Sequence, residues 1–223
     1  MASNSDSKVK IQRFSNGGTN VLIQSTVFIT GEGANRWRAR SVQRTMDWAF
    51  NSKEFISKHD TVRFDIKYVY KKDIKESDLS PGENILVFTK YKDDARHGSF
   101  VMGTQENGVI NGIRYKKSLS GRTGEIIGAY RYNDNVIIHE TFHFLGISDR
   151  YVNYVDKDDE IILSRSMRGF EHDIMGVASA LNLHNTHTKN ILRWAREMYP
   201  IKGEGQFVNK EVIDKLWNGE VIN

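Results

Sequence analysis

His-Glu-Thr-Phe-His-Phe-Leu-Gly-Ile-Ser-Asp, at positions 139–149, is the stretch on which the interpretation of the chain depends. His139 and His143 are four residues apart, so on a helix they project from the same face, one turn apart. At that spacing two imidazoles can bind one zinc ion. Glu140 lies beside the metal position and can take a proton from an activated water, so it is the predicted catalytic residue.

The residues after the second histidine predict a return of the chain toward the metal. Gly146 should end the helix, because glycine adopts the left-handed conformation without a Cβ penalty. After that turn Asp149 can serve as a third, oxygen ligand, and the fourth position stays open for water. An open position is typical of catalytic zinc sites. The sequence therefore predicts a Zn²⁺ site formed by His139, His143 and Asp149.

A surface helix with two solvated histidines is the alternative interpretation of this motif. The apolar residues that precede and interleave with the motif argue against it: Val136, Ile137, Ile138, Phe142, Phe144 and Leu145. A helix that is apolar on nearly all sides is a buried one. Histidine and glutamate side chains inside such a helix need partners, and a metal ion supplies them.

Three further histidines compete with Asp149 for the third ligand position. His172 stands close to a downstream methionine, and His184 and His187 are three residues apart in a polar stretch. Asp149 is preferred because its offset from Gly146 matches a return toward the metal, whereas the histidines lie across loops of undetermined course.

The motif H-E-x-x-H-x-x-G-x-x-H/D with a downstream methionine turn resembles the signature of the metzincin clan of zinc metallopeptidases. The methionine turn would be residues 173–176 (D-I-M-G), with Met175 as a hydrophobic floor beneath the metal. More narrowly, H-E-T-F-H-F-L-G-I-S-D-R-Y followed by D-I-M-G resembles the peptidase-like C-terminal domains of bacterial RHS-repeat polymorphic toxins. The clan resemblance covers residues 139–176, and the toxin resemblance rests mainly on residues 145–151.

This resemblance implies an α+β fold with an α/β-type upper half. Its parts would be a mixed twisted sheet with an antiparallel edge strand, the zinc helix, the methionine turn and a C-terminal helix. Metzincins bind an extended peptide along the edge strand, here predicted at residues 99–104. The predicted substrate-binding residues are Ser99, Phe100, Val101, Met102 and Gly103. Tyr151 is assigned either a hydrogen bond to the metal site or tetrahedral intermediate, or a packing role.

Hydrophobic patterning predicts the other elements of the fold. Strands are expected at residues 19–30, 61–70, 84–88 and 125–130, with a hairpin arm at 113–117. A helix capped by Asn35 should run from Arg36 to Phe55, and the zinc helix should begin at Asn133 or Asp134. A C-terminal helix is expected from His187 or Thr188 to Tyr199.

The chain of 223 residues suits one domain with an appendage. Residues 1–18 are predicted to be a flexible tether, residues 19–200 the metallopeptidase domain and residues 201–223 a C-terminal extension. The acidic stretch at residues 156–160 can be interpreted as a calcium loop, but it lacks the glycine and spacing of one, which favours a solvated turn.

Composition narrows the classes of function. The chain has no cysteine, which excludes disulfides and thiolate zinc ligands. Its net charge of +4 comes from basic residues scattered among acidic ones, which indicates a solvated surface and no nucleic-acid partner. No apolar run is long enough to span a membrane, and no signal-peptide core is visible. Either the chain is exported by a signal-independent route, or a leader or carrier is missing from it.

The sequence thus predicts a zinc endopeptidase that acts on protein or peptide substrates and is secreted or delivered outside the producing cell. If it is a toxin, a neutralising immunity or inhibitor protein is expected as a partner. The alternative is a non-catalytic, zinc-stabilised protein-binding module, which the intact Glu140 disfavours because a purely structural site has no need of it. A nuclease interpretation has no motif behind it.

Overall fold

The computed structural model describes residues 9–15, 19–57, 60–89, 100–101, 105–110, 113–118, 123–127, 133–144, 147, 149–155, 161–177, 179–189 and 206–208. They form an α+β structure with a mixed sheet and few helices. The strands are β1 (Val9–Ser15), β2 (Thr19–Thr30), β3 (Phe55–Ser57), β4 (Asp60–Tyr70), β5 (Glu83–Thr89), β6 (Phe100–Val101), β7 (Gln105–Ile110), β8 (Ile113–Ser118), β9 (Thr123–Ile127), β10 (Tyr151–Val155), β11 (Ile161–Ser166) and β12 (Gln206–Val208). Two helices lie wholly within these ranges, α1 (Arg36–Met46) and α2 (Asp134–Phe144), with a π-type turn at Asp47–Asn51 and a 3-10 turn at Glu76–Asp78. Residues 185–189 are also helical. No helix in these ranges is long and apolar enough to cross a membrane.

Strand β2 lies at the centre of the main sheet. It pairs in parallel with β4 along nearly its whole length. Antiparallel β1 pairs with its first half, and parallel β5 pairs with its second half. Parallel β9 extends the sheet beyond β5, and antiparallel β6 pairs with β9 at the edge. The predicted mixed sheet with an antiparallel edge strand is therefore present in the described residues.

The burial of the strands follows their sequence patterns. Val62, Phe64, Ile66 and Tyr68 alternate with more exposed residues along β4, so one face of that strand covers the core. β5 is buried on both faces, as its continuous apolar run predicts for a central strand. The strands predicted at 19–30, 61–70 and 84–88 are confirmed.

Helix α1 begins where the sequence predicts. The Asn35 side chain accepts a hydrogen bond from the Arg38 backbone N–H at 2.8 Å, as an N-cap does. The predicted core face of this segment is confirmed by burial of Ala39, Val42, Met46, Ala49 and Phe50.

The predicted end of this helix at Phe55 is wrong. The α-helix ends at Met46, the chain widens into the π-type turn, and Phe55 begins β3. Asn51 explains the change, because its side chain donates to Ile66 O at 2.9 Å and accepts from Ile66 N at 3.0 Å. These bonds to β4 hold the end of the turn against the sheet.

Helix α2 is attached to the rest of the core at three points. Asp134, its first residue, accepts hydrogen bonds from Ser41 at 2.8 Å and Thr45 at 3.0 Å on α1. The buried Tyr68 hydroxyl of β4 donates to Thr141 at 2.6 Å.

The third attachment of α2 is aromatic. The Phe142 ring lies 4.8 Å from Phe50 and 5.6 Å from Phe64, measured between ring centroids, in edge-to-face geometry. These contacts join α2 to the turn after α1 and to β4, so the helix that carries the two motif histidines rests on a rigid support.

The main sheet includes residues on both sides of the predicted metallopeptidase domain, residues 19–200. Residues 9–15, placed in the tether, form β1, and residues 206–208, placed in the C-terminal extension, form β12, which pairs with β1. Main-chain hydrogen bonds incorporate both segments, and such bonds require no apolar pattern.

Two hairpins and a further helical segment complete the described structure. The hairpin arm expected at 113–117 is present as the β7–β8 hairpin. The β10–β11 hairpin was not predicted. Residues 185–189 are helical, so the C-terminal helix begins before its predicted start, and residues 190–200 lie outside the described residues, as does the acidic stretch 156–160.

Gly31 provides a test of how the end of β2 packs on β5. It has φ +94°, and a Cβ there would overlap the carbonyl oxygen of Phe88. Gly169 has φ +89° but open space around its Cβ position. Gly169→Ala should therefore cost only the left-handed strain, about 1–2 kcal/mol. Gly31→Ala should lower the free energy of unfolding, measured by urea denaturation, clearly more than Gly169→Ala does. Equal losses in the two variants would contradict this packing.

Candidate metal centre

Helix α2 brings two imidazoles to one carboxylate. His139 and His143 are buried, and the Nε2 atom of each lies 3.2 Å from the same Oδ1 atom of Asp149. The three potential ligand atoms lie within 4.8 Å of one another, so this group can hold a metal ion. The residues predicted as ligands from their spacing are therefore brought together.

Hydrogen bonds on the far side of each ring define the tautomer. His139 Nδ1 lies 2.7 Å from the carbonyl oxygen of Ile174, and His143 Nδ1 lies 2.8 Å from that of Ile147. A carbonyl only accepts, so both Nδ1 atoms carry hydrogen, and both Nε2 atoms face Asp149. Metal-binding histidines characteristically donate their other ring N–H in this way, so the donor set fits a metal ion.

A backbone hydrogen bond connects Ile147 to the last turn of α2. The backbone N–H of Ile147 donates to Phe142 O at 3.1 Å, the six-to-one hydrogen bond that ends helices in a Schellman motif. Gly146, the predicted end of the helix, lies between these residues and outside the described ranges. The carbonyl oxygen of Ile147, two residues before Asp149 in the sequence, accepts from His143.

The predicted methionine turn, residues 173–176, contacts His139 and the residue that follows Asp149. Ile174 and Met175 are fully buried in the core. Ile174 O accepts from His139, and Met175 O accepts from the Arg150 backbone N–H at 2.7 Å. The turn therefore contacts one histidine directly and the residue next to Asp149.

Glu140 is buried beside the cluster, and its Oε2 atom has no hydrogen-bond partner within the described ranges. Burial raises the pKa of Glu140, against the lowering effect of His139 and His143. A buried carboxylate oxygen without a donor is costly. This oxygen can therefore accept a hydrogen bond from a bound water molecule.

Charges within the cluster shift its protonation strongly. Burial alone would lower the pKa of His143, but the adjacent Asp149 carboxylate outweighs burial and raises that pKa to about 9. Burial raises the pKa of Asp149, yet His143 and His139 hold it well below its usual range. In the absence of metal, therefore, a proton is held between imidazole and carboxylate.

Tyr151 stands at the same site. Its ring lies roughly parallel to that of His139, with the centroids 6.1 Å apart. Burial raises the pKa of its hydroxyl, and the Asp149 and Glu140 charges raise it further. The hydroxyl is consequently a protonated donor at neutral pH.

The predicted substrate-binding residues are described only in part. Phe100 and Val101 form the antiparallel edge strand β6, paired with β9. Ser99, Met102 and Gly103 lie outside the described residues.

The three histidines considered as alternative third ligands lie outside the group of potential metal ligands. His187 is fully buried, with Nε2 3.5 Å from Asp173 Oδ1. The backbone N–H of His184 donates to Asp173 Oδ2 at 2.6 Å, and His172 is exposed. None of the three belongs to the group formed by His139, His143 and Asp149. The sequence analysis placed Asp173 in the predicted methionine turn but gave its side chain no role, because its partners lie up to 14 residues away along the chain.

Comparison of the chain with protein-family models, with curated proteins and with solved structures finds no match. Functional inference therefore rests on the chemistry of the site itself.

Metal binding should stabilise the fold. A ligand that binds only the native state at 100 times its Kd contributes about 2.7 kcal/mol. Zinc ions added to chelator-treated protein should raise the melting temperature, and Asp149→Ala should remove most of this rise. Asp73→Ala, at an exposed carboxylate, is the control and should retain it. If divalent metals left the melting temperature of the wild-type protein unchanged, the assignment of the metal centre would be contradicted.

The metal-free protein should lose stability as pH rises toward 9. The pKa of His143 is raised from 6.5 to about 9 on folding. Its contribution is therefore complete below pH 6.5 and is lost as pH rises through the folded value. Urea midpoints measured between pH 6 and pH 10 should fall, and His143→Gln should flatten the profile. Parallel profiles for both proteins would exclude this linkage.

Proposed function

We propose that the protein is a zinc endopeptidase of the metzincin type. The observation that supports this most directly is the buried Glu140, whose Oε2 has no partner in the described structure, next to two histidines with anchored Nδ1 atoms. A structural metal site needs ligands and no adjacent base. A hydrolytic one needs a carboxylate in just this position.

The donor set suits zinc. Two imidazoles and one carboxylate are three protein ligands, the number typical of catalytic zinc sites with an open fourth position. A carboxylate is a harder ligand than imidazole, and zinc accepts both. When bound, zinc supplies Lewis acidity that polarises the scissile carbonyl and acidifies the attacking water.

Glu140 is the proposed general base. Burial raises its pKa above the usual value, which strengthens it as a proton acceptor when ionised. It would take the proton of the attacking water and then deliver it to the nitrogen of the leaving amine. Tyr151, kept protonated beside His139, can donate a hydrogen bond to the oxyanion that develops on the substrate carbonyl.

The substrate would be an extended peptide. Strand β6 pairs antiparallel with β9 and ends the described part of the main sheet. A peptide added along this edge would gain main-chain hydrogen bonds that do not depend on its sequence, and pockets beside it would select side chains.

Resemblance to the peptidase-like domains of RHS-repeat toxins leads us to propose in addition that the protein acts outside the producing cell. A small neutralising protein would then be its natural inhibitor. Inhibition of the peptidase by the product of a neighbouring gene would support this role.

Glu140→Gln distinguishes catalysis from a zinc-stabilised binding module. The amide keeps the shape of the side chain but cannot accept the proton. Turnover of a fluorogenic peptide library should fall by about 100-fold or more, with zinc content and melting temperature retained.

Glu171→Gln is the matched control, because that carboxylate is fully exposed, and it should cleave like the wild type. Wild-type rates from Glu140→Gln would refute the mechanism. A zinc-loaded wild type that cleaves none of the library would favour the binding module.

A further inference from the structure

Asp173 is a buried carboxylate that lies outside the group of potential metal ligands, accepts two backbone hydrogen bonds and faces an imidazole. Its Oδ1 accepts from the Met175 backbone N–H at 2.8 Å, and its Oδ2 accepts from the His184 backbone N–H at 2.6 Å. His187 Nε2 lies 3.5 Å from Oδ1, and the side chains of both residues are almost completely buried. Burial raises the pKa of Asp173, but these partners lower it below its usual range, so the group is charged at neutral pH.

The Asp173 carboxylate ties the methionine turn to the segment that follows it. Asp173 and Met175 are bonded to each other on either side of Ile174. Ile174 itself donates its N–H to Asn182 O at 2.8 Å. The direction of the Ile174 carbonyl is therefore constrained by the residues before and after it and by its own amide.

That carbonyl is the partner of His139. It lies 2.7 Å from Nδ1 and so sets the rotation and the tautomer of the ring. The same turn reaches Asp149 indirectly, since Met175 O accepts from the backbone N–H of Arg150 at 2.7 Å. One carboxylate thus supports the segment that orients two of the three potential ligands.

We infer that Asp173 and His187 are positioning residues for the metal centre, which hold the turn of residues 173–176 in the geometry that aims His139 at the metal. This inference rests on the metal site of the proposed function and does not require that the site be a peptidase. It also gives His187 a role distinct from that of a ligand.

Zinc affinity of the full chain tests the inference. In Asp173→Asn one oxygen becomes an NH₂ group that faces a backbone N–H, so one hydrogen bond is replaced by a repulsion. The zinc Kd, measured by competition with a chromophoric chelator, should weaken by about 10-fold to 100-fold. The absorption bands of the cobalt(II)-substituted protein should shift as well, because they report the arrangement of the ligands.

Asp134→Asn is the matched control. Asp134 anchors the same helix through Ser41 and Thr45, at the end remote from the cluster. Its replacement should lower the melting temperature but leave the zinc Kd and the cobalt spectrum of the wild type. An Asp173→Asn protein with wild-type zinc affinity and cobalt spectrum would overturn the inference.

Two substitutions of His187 test the same inference and remain informative if Asp173→Asn does not fold. His187→Ala removes the group facing Asp173 and should weaken zinc binding, whereas in His187→Gln the amide N–H can replace Nε2 and should restore it. Equal affinities for wild type, His187→Ala and His187→Gln would overturn the inference. A wild-type chain that binds no zinc would instead refute the metal centre, and this inference with it.

Discussion

The site depends on two hydrogen bonds that run from imidazole rings to main-chain carbonyl groups. His139 donates from Nδ1 to Ile174, and His143 donates to Ile147. Each bond fixes a ring rotation and a tautomer, so both Nε2 atoms face one oxygen of Asp149. Helical spacing alone places two imidazoles on one face, but only these bonds direct two nitrogen atoms to one point.

The two carbonyl groups are held by different parts of the fold. Ile147 is hydrogen-bonded through its N–H to Phe142 of α2, so its position follows from the helix itself. Ile174 lies in a turn 35 residues beyond His139. It is held by the hydrogen bond from its N–H to Asn182 O and by the bond between its neighbours Asp173 and Met175. The helix in turn rests on β4 and α1 through hydrogen bonds and packed aromatic rings. Sites on such rigid elements keep their geometry better than sites on loops.

The Asp149 carboxylate and the two imidazoles are largely buried, so little water screens the interactions between their charges. In the metal-free cluster Asp149 raises the pKa of His143, and the imidazoles lower that of Asp149. A divalent cation bound there replaces those protons and satisfies the same carboxylate, so binding must be linked to proton release. Glu140 interacts with the same charges but is not one of the potential ligands, which is the position that the proposed general base requires.

Local sequence by itself determined the start of α2 at Asp134, where Asn133 accepts from the Val136 backbone N–H as a cap. It also determined the alternating burial of β4 and the identity of the three potential metal ligands. These features depend on near neighbours along the chain, so periodicity, capping residues and spacing reveal them. Tertiary structure alone decided that α1 ends at Met46, that residues 9–15 join the main sheet, and that Asp173 contacts His184 and His187. Each of these rests on hydrogen bonds or packing between segments distant in the chain, and such partners leave no periodic trace in the sequence.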